Sequence, residues 1–136
     1  MVSLETAKAL AAAALDNAGG HGKPVSVCVV DERGLIVYME RQNGALPFTS
    51  TTAEGKAVGS AFTGLESALL ENYAKNNPAG PAMAIAARLG GHYVAARGGL
   101  PLIHDGVVVG AIGVSGATAE EDETSARAAI EQIALA

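Results

Sequence analysis

Hydrophobic positions along the chain change their period several times, and each change marks an element. Leu4, Ala7, Ala11, Leu15 and Ala18 recur at helical spacing behind Ser3, a natural N-cap, and Gly19-Gly20 is expected to stop that helix. From Pro24 the pattern alternates, with Val25, Val27 and Val29 on one strand face and Ser26, Cys28 and Val30 on the other. Asp31-Glu32-Arg33-Gly34 reads as a turn with the glycine at positive φ, and Leu35 to Arg41 as the returning strand of a hairpin. After a loop around Gly44 and Pro47, Thr51-Thr52-Ala53-Glu54 has the spacing of a capping box. The helix behind it is striped by Ala57, Val58, Ala61 and Phe62. A second box, Thr63 to Glu66, restarts a helix through about Tyr73, ended by Asn76-Asn77-Pro78.

Residues 79–99 carry a weaker pattern: Met83, Ile85 and Leu89 suggest a short helix, and His92 to Ala96 a short strand. Leu100 to His104 and Val107 to Ser115 are apolar strands joined by Asp105-Gly106, a strong hairpin signal. A third box, Thr118 to Glu121, opens a last helix buried through Ala126, Ile130 and Ile133, with acids from Glu120 to Glu123 where the helix dipole favours them. Hairpins in place of βαβ crossovers predict an α/β (α+β) fold. The expected form is one domain over residues 1–136, an antiparallel sheet of about five strands flanked by helices.

Composition narrows the partners. The chain is 49% apolar, and much of that is alanine, with two Phe, three Tyr and no Trp. Alanine-rich helices make thin cores, so association into a homo-oligomer is expected. A net charge of −5, with nine basic residues scattered singly, excludes a phosphate-tracking stripe and hence nucleic acid. No apolar run nears the ~20 residues that cross a bilayer. The start Met-Val-Ser-Leu-Glu-Thr-Ala-Lys lacks a signal-peptide pattern, so a soluble, cytoplasmic protein is expected. Cys28, alone and within an apolar strand, reads as a small buried hydrophobe.

Candidate chemistry is sparse. Arg41 ends a strand and Lys56 lies in a helix bordered by alanines, so either could reach into a pocket and pair a carboxylate; a solvated charge, or a pair with Glu40 or Glu54, is the competing reading. Gly110, Gly113 and Gly116 cannot share one strand face. They mark close backbone approach, or leave N–H groups free to receive an anion at the last helix. His21, His92 and His104 lack metal-ligand spacing to one another. Ser115 has no nucleophile-elbow frame, and Asp122 is assigned to the helix dipole unless it faces a pocket as a base.

Gly98-Gly99-Leu100-Pro101-Leu102, followed by Asp105-Gly106-Val107-Val108-Val109-Gly110-Ala111-Ile112-Gly113-Val114-Ser115-Gly116 and the acidic helix start, resembles the signature of the GlcG/HbpS family. Val29-Val30-Asp31 with Gly34-Leu35 and Arg41, and Glu54-Gly55-Lys56-Ala57 with Phe62, agree with it. The resemblance implies a profilin-like fold with a five-stranded antiparallel sheet. It also implies a small-ligand site near a subunit interface, with haem or a related tetrapyrrole as ligand, as in haem-binding and haem-degrading members and the domain attached to corrinoid adenosyltransferases. The candidate ligand contacts are then Arg41, Lys56, Gly99, Pro101, Gly113, Val114 and Ser115, with His21 and His92 as candidate axial ligands to haem iron. Two other readings stay open: a small catabolic isomerase, lyase or hydrolase acting on a compact carboxylate anchored by Arg41 and Lys56, and an accessory subunit that binds another protein.

Overall fold

Ser3 opens the first helix as its position suggests. In the structure, a computed structural model that describes residues 1–88 and 93–135, its Oγ accepts the Thr6 N–H at 3.1 Å, and α1 runs Leu4–Ala18. The α-helix stops at the first glycine, Gly19, which is its C-cap. The chain then tightens into a 3₁₀ turn, Gly19–His21, and the left-handed residue that redirects it is Gly22 at φ 70°.

Strands β1 (Ser26–Asp31) and β2 (Ile36–Arg41) form the first hairpin, with Ser26 opposite Arg41. Asp31 Oδ1 holds its turn by accepting the Arg33 and Leu35 N–H groups at 2.8 and 3.1 Å. Strands β3 (Gly99–His104) and β4 (Val107–Ser115) form the second hairpin, turned by Asp105 at φ 50° and Gly106 at φ 78°. Antiparallel pairing of β1 with β4 joins the hairpins into one sheet of order β2-β1-β4-β3.

Helix α2 (Phe48–Thr63) covers one face of this sheet, while α1 and α5 (Ala119–Gln132) cover the other. The central strand β1 is therefore buried on both faces along its whole length. On the α1/α5 side Leu10, Val25, Val27, Val29, Leu102 and Ile112 are fully buried, each contributing roughly 1.5–3 kcal/mol. On the α2 side the core is small: Cys28, Val30, Ala53, Ala57 and Ala111. Small residues bring α2 so near the sheet that a Cβ on Gly113 would collide with the Ala53 carbonyl oxygen and lie 2.9 Å from the Ala57 nitrogen. Helices α3 (Ser67–Asn76) and α4 (Pro81–Arg88) follow α2, and Leu70 of α3 packs with Tyr93.

Three expectations are corrected. Among the described residues the sheet has four strands, not five, because the segment expected as a short strand at 92–96 is irregular over its described part and packs on α2. Gly55 and Gly59 open a groove on α2 that receives Val94 and Tyr93, and the Val94 N–H donates to the Gly55 carbonyl at 3.1 Å. The start of α2 lies at Phe48 rather than at the Thr51 box, because Pro47 presets a helical φ and Thr49 Oγ1 bonds the Leu46 carbonyl at 2.6 Å. The box at Thr63 does not form either. Gly64, left-handed at φ 69°, ends α2, and α3 begins at Ser67 and runs past Tyr73 to Asn76.

Candidate functional site

The candidate residues fall in two places, a sealed junction at one end of the sheet and an open cleft beside the turn after α1. The junction holds Lys56, Gly99, Gly113 and Val114. Lys56 leaves α2 on one face of the sheet and reaches α5 on the other, where its Nζ donates to the Val114 carbonyl at 2.8 Å and to Asp122 Oδ2 at 3.3 Å. Its path runs past Gly98 and Gly99. A Cβ on Gly98 would lie 2.9 Å from that Nζ, and one on Gly99 would strike the Lys56 carbonyl oxygen.

Both ends of this pair are shielded, with side-chain exposures of 5% for Lys56 and 3% for Asp122. Burial pushes the Lys56 ammonium down and the Asp122 carboxyl up, and each charge partly offsets the other's shift. Asp122 Oδ1 also accepts the Ala117 N–H at 3.0 Å, fixing the turn between β4 and α5. The lysine's partner is thus Asp122, rather than Glu40 or Glu54, and the pair acts as a pin through the layers. Ser67 Oγ accepts the Gly99 N–H at 2.7 Å and closes the junction from α3. Pro101 lies opposite Ala111 on the edge strand β3, where a missing N–H is tolerated.

The cleft, of about 730 Å³, is bordered by Gly22, Lys23, Pro24, Glu40, Arg41 and Gln42. Arg41 donates from Nη1 to the Ala45 carbonyl at 3.0 Å and is exposed. His21 stands in the 3₁₀ turn beside it. Its Nδ1 accepts the Lys23 N–H at 3.1 Å, and its Nε2 is buried with no hydrogen-bond partner. With Nδ1 accepting, a neutral ring carries its proton on Nε2. Metal ligation by Nε2 therefore requires the ring to release Lys23 and move that proton to Nδ1.

Lys23 and Pro24 also line a second cleft of about 320 Å³, so this dipeptide is the wall between the two. The second cleft is floored by Thr49, Ser115 and Gly116 and flanked by the exposed side chains of Leu46 and Phe48. Lys23 is held from the far side by Glu121, Nζ to Oε1 at 2.7 Å. That contact and the capping box drop the Glu121 carboxyl to about 2.

Of the expected ligand contacts, Arg41 borders the first cleft and Ser115 the second, Gly113 lies at a close backbone approach, and Lys23 was not among the candidates. The available signal was its position between a glycine-rich turn and Pro24. His92 lies outside the described residues. His104 is exposed, 3.5 Å from Asp105. Among the described residues no group of three or more His, Cys, Asp or Glu could hold a metal ion by itself. Burial raises the Cys28 thiol to about 12, which leaves it inert. No described helix is long and apolar enough to cross a membrane.

Comparison with known proteins agrees with this frame. The profile of the family described as haem degrading protein HbpS-like matches residues 2–131. Protein GlcG of Escherichia coli (strain K12) is 29% identical over 115 residues, covering 85% of this chain and 81% of GlcG. A crystal structure of a Streptomyces reticuli HbpS double mutant superposes with a TM-score of 0.84 at 30% identity, over 96% of this chain and 86% of that one. A crystal structure of a PduOC:heme complex superposes with a TM-score of 0.86 at 27% identity, over 99% of this chain and 98% of that one. With the motif, the fold and nearly the full length in agreement, this chain belongs to the HbpS-like family, and GlcG is its relative.

Proposed function

We propose that this protein binds haem or a related tetrapyrrole at the cleft beside the Gly19–Pro24 turn, with a second copy of the chain completing the site. The observation that carries the reading is the buried, unpartnered Nε2 of His21 next to a cleft bordered by two cations, Lys23 and Arg41. Once the ring releases the Lys23 N–H and carries its proton on Nδ1, that unpartnered nitrogen is free to ligate haem iron. The HbpS-like family and the haem complex of PduOC point to the same ligand class.

The surroundings suit an amphipathic, dianionic ligand. Arg41 and Lys23 would pair the propionates, and Leu46 and Phe48 in the adjoining cleft would cover porphyrin surface. One chain supplies too little apolar wall to enclose a macrocycle. Exposed Leu46 and Phe48 here, with Leu35, Ile36 and Phe62 elsewhere, are the surface that association would cover. Bound haem would supply an iron centre capable of redox and axial-ligand chemistry. The chain's own part is to bind and orient it: His21 at the iron, the cations at the acid edge.

The test is a haem titration of the purified apo-protein followed by absorbance, repeated for His21→Ala and Arg41→Ala. A saturable Soret band is expected in the wild type, with altered position and intensity in His21→Ala and about tenfold weaker binding in Arg41→Ala, the loss of one charge-assisted contact. An unsaturable titration in the wild type would reject the haem reading. It would leave a compact carboxylate, held by the same two cations, as the ligand to seek.

A further inference from the structure

Two consecutive acids at the start of α5 take a lysine each, and the outer pair stands at the candidate site. Glu121 Oε1 accepts both the Thr118 N–H, at 3.1 Å, and Lys23 Nζ, at 2.7 Å. Thr118 Oγ1 in return accepts the Glu121 N–H at 3.2 Å, so a capping box fixes where this carboxylate lies. Lys23 forms the wall between the polar cleft and the cleft flanked by Leu46 and Phe48. Its side chain is 48% exposed and that of Glu121 30%, so water and solutes reach the contact. Arg41, the other cation of the cleft, bonds a neutral carbonyl, that of Ala45.

We propose that Glu121 is a built-in competitor for the acid end of the ligand, a specificity-determining residue that occupies Lys23 until a ligand carboxylate displaces it. The inference rests on the reading of this cleft as the ligand site. Its physical basis is that a carboxylate already sits on Lys23 at ideal ion-pair distance, held there by a helix cap. Glu121 takes one of the three Nζ donors and offsets the charge, so an incoming carboxylate competes with it for Lys23, while Arg41 accepts a carboxylate with no acid to compete against. A monoacid is served by Arg41 alone, and a diacid must also compete with Glu121 for Lys23. Release lets the Lys23 side chain swing, and the wall between the two clefts moves with it. Glu121 therefore sets how strongly the site favours a dianion, and it couples acid binding to the joining of the polar and apolar clefts.

Glu121→Gln separates this role from the structural one, because a glutamine oxygen still accepts the Thr118 N–H while the charge on Lys23's partner is gone. Haem and haem dimethyl ester, whose propionates carry no charge, are titrated into wild type and Glu121→Gln. The Lys23 Nζ signal is followed by NMR as inorganic phosphate is added to each. The variant is expected to bind haem about two- to fivefold tighter, the range an exposed ion pair supplies, with the gain shrinking in 1 M salt. Ester binding is expected to be equal in the two proteins, and phosphate to move the Lys23 signal at lower concentration in the variant. Equal haem affinities and equal phosphate responses would overturn the competitor role and leave the haem reading standing. If neither protein binds haem but phosphate still distinguishes them, the haem reading fails and the competition holds for another anion. If nothing distinguishes them and haem does not bind, both are rejected.

Discussion

Lys56–Asp122 and Lys23–Glu121 each pair a lysine with a carboxylate, and their acids are neighbours in the first turn of α5. Their surroundings are opposite. The first pair is almost fully enclosed, its lysine bonded to a carbonyl and a carboxylate and its carboxylate also to a backbone N–H. The second pair is half in water. Burial makes the inner pair expensive to break, since either partner alone would be an uncompensated charge in a low-dielectric site. Exposure makes the outer pair nearly free to break, since water and ions replace the lost partner. The inner pair therefore serves as a fixed pin between the layers at one end of the sheet, and the outer one as an exchangeable contact. Two residues that look interchangeable on a sequence line are assigned different roles by depth alone.

The largest effect should come from breaking the inner pair on one side. Lys56→Met fills similar volume but leaves Asp122 without its cation, and is expected to lower unfolding stability by about 3–5 kcal/mol in urea. Lys56→Met with Asp122→Asn removes both charges and keeps an oxygen for the Ala117 N–H. It is expected to recover most of the loss. A double variant as unstable as the single one would mean that lost packing, rather than the stranded carboxylate, carries the cost.

A smaller effect tests the space through which the pin passes. In Gly99→Ala the new methyl meets the Lys56 backbone, which cannot swing aside as a side chain would, so α2 must shift. Overpacking of this kind costs about 1–3 kcal/mol. Gly20→Ala, in the turn beside the open cleft, meets nothing within 4 Å and is expected to leave the urea midpoint unchanged or slightly raised. Equal midpoints for the two variants would contradict the contrast between a sealed junction and an open cleft.

The sequence carried the hairpins and the first and last helices because their signals are local. Alternation, Asp105-Gly106 and the Ser3 and Thr118 caps act within a few residues. The capping role of Glu121 was readable for the same reason, since it stands three residues after Thr118. The misplaced start of α2 and the absent fifth strand come from competition between local and distant forces. Pro47 outweighed the Thr51 spacing, and a groove opened by Gly55 and Gly59, four residues apart on α2, drew Tyr93 and Val94 onto a helix rather than onto a strand edge. Of the candidate site, Arg41 was readable as a cation at a strand end and His21 as a histidine in a glycine-rich loop. The partnership of Lys56 with Asp122 was not, because 66 residues separate them and only the glycine pair at 98–99 lets the side chain through. Asp122 looked like one more acid serving a helix dipole, and Lys23 like one more surface lysine.

The smallest effect is expected from Lys23→Met, and it is the sharpest check on the outer pair. Glu121 has its carboxyl held down to about 2 from the usual 4.5, chiefly by Lys23 and then by the Thr118 N–H. A depressed carboxyl stabilises the fold above its unfolded value, and that contribution fades as pH falls from 4.5 towards 2. In Lys23→Met the cap remains and the cation is gone, so the Glu121 titration followed by NMR should move up towards 4.5 without reaching it. The urea midpoint at neutral pH should stay within error, because an exposed pair contributes little against solvent. A large drop in that midpoint would show that Lys23 is a structural pin like Lys56, too firmly held to be released by a ligand. An unmoved Glu121 titration would show that the cap alone holds the carboxylate down, and then nothing distinguishes an acid resting on Lys23 from one that happens to lie beside it.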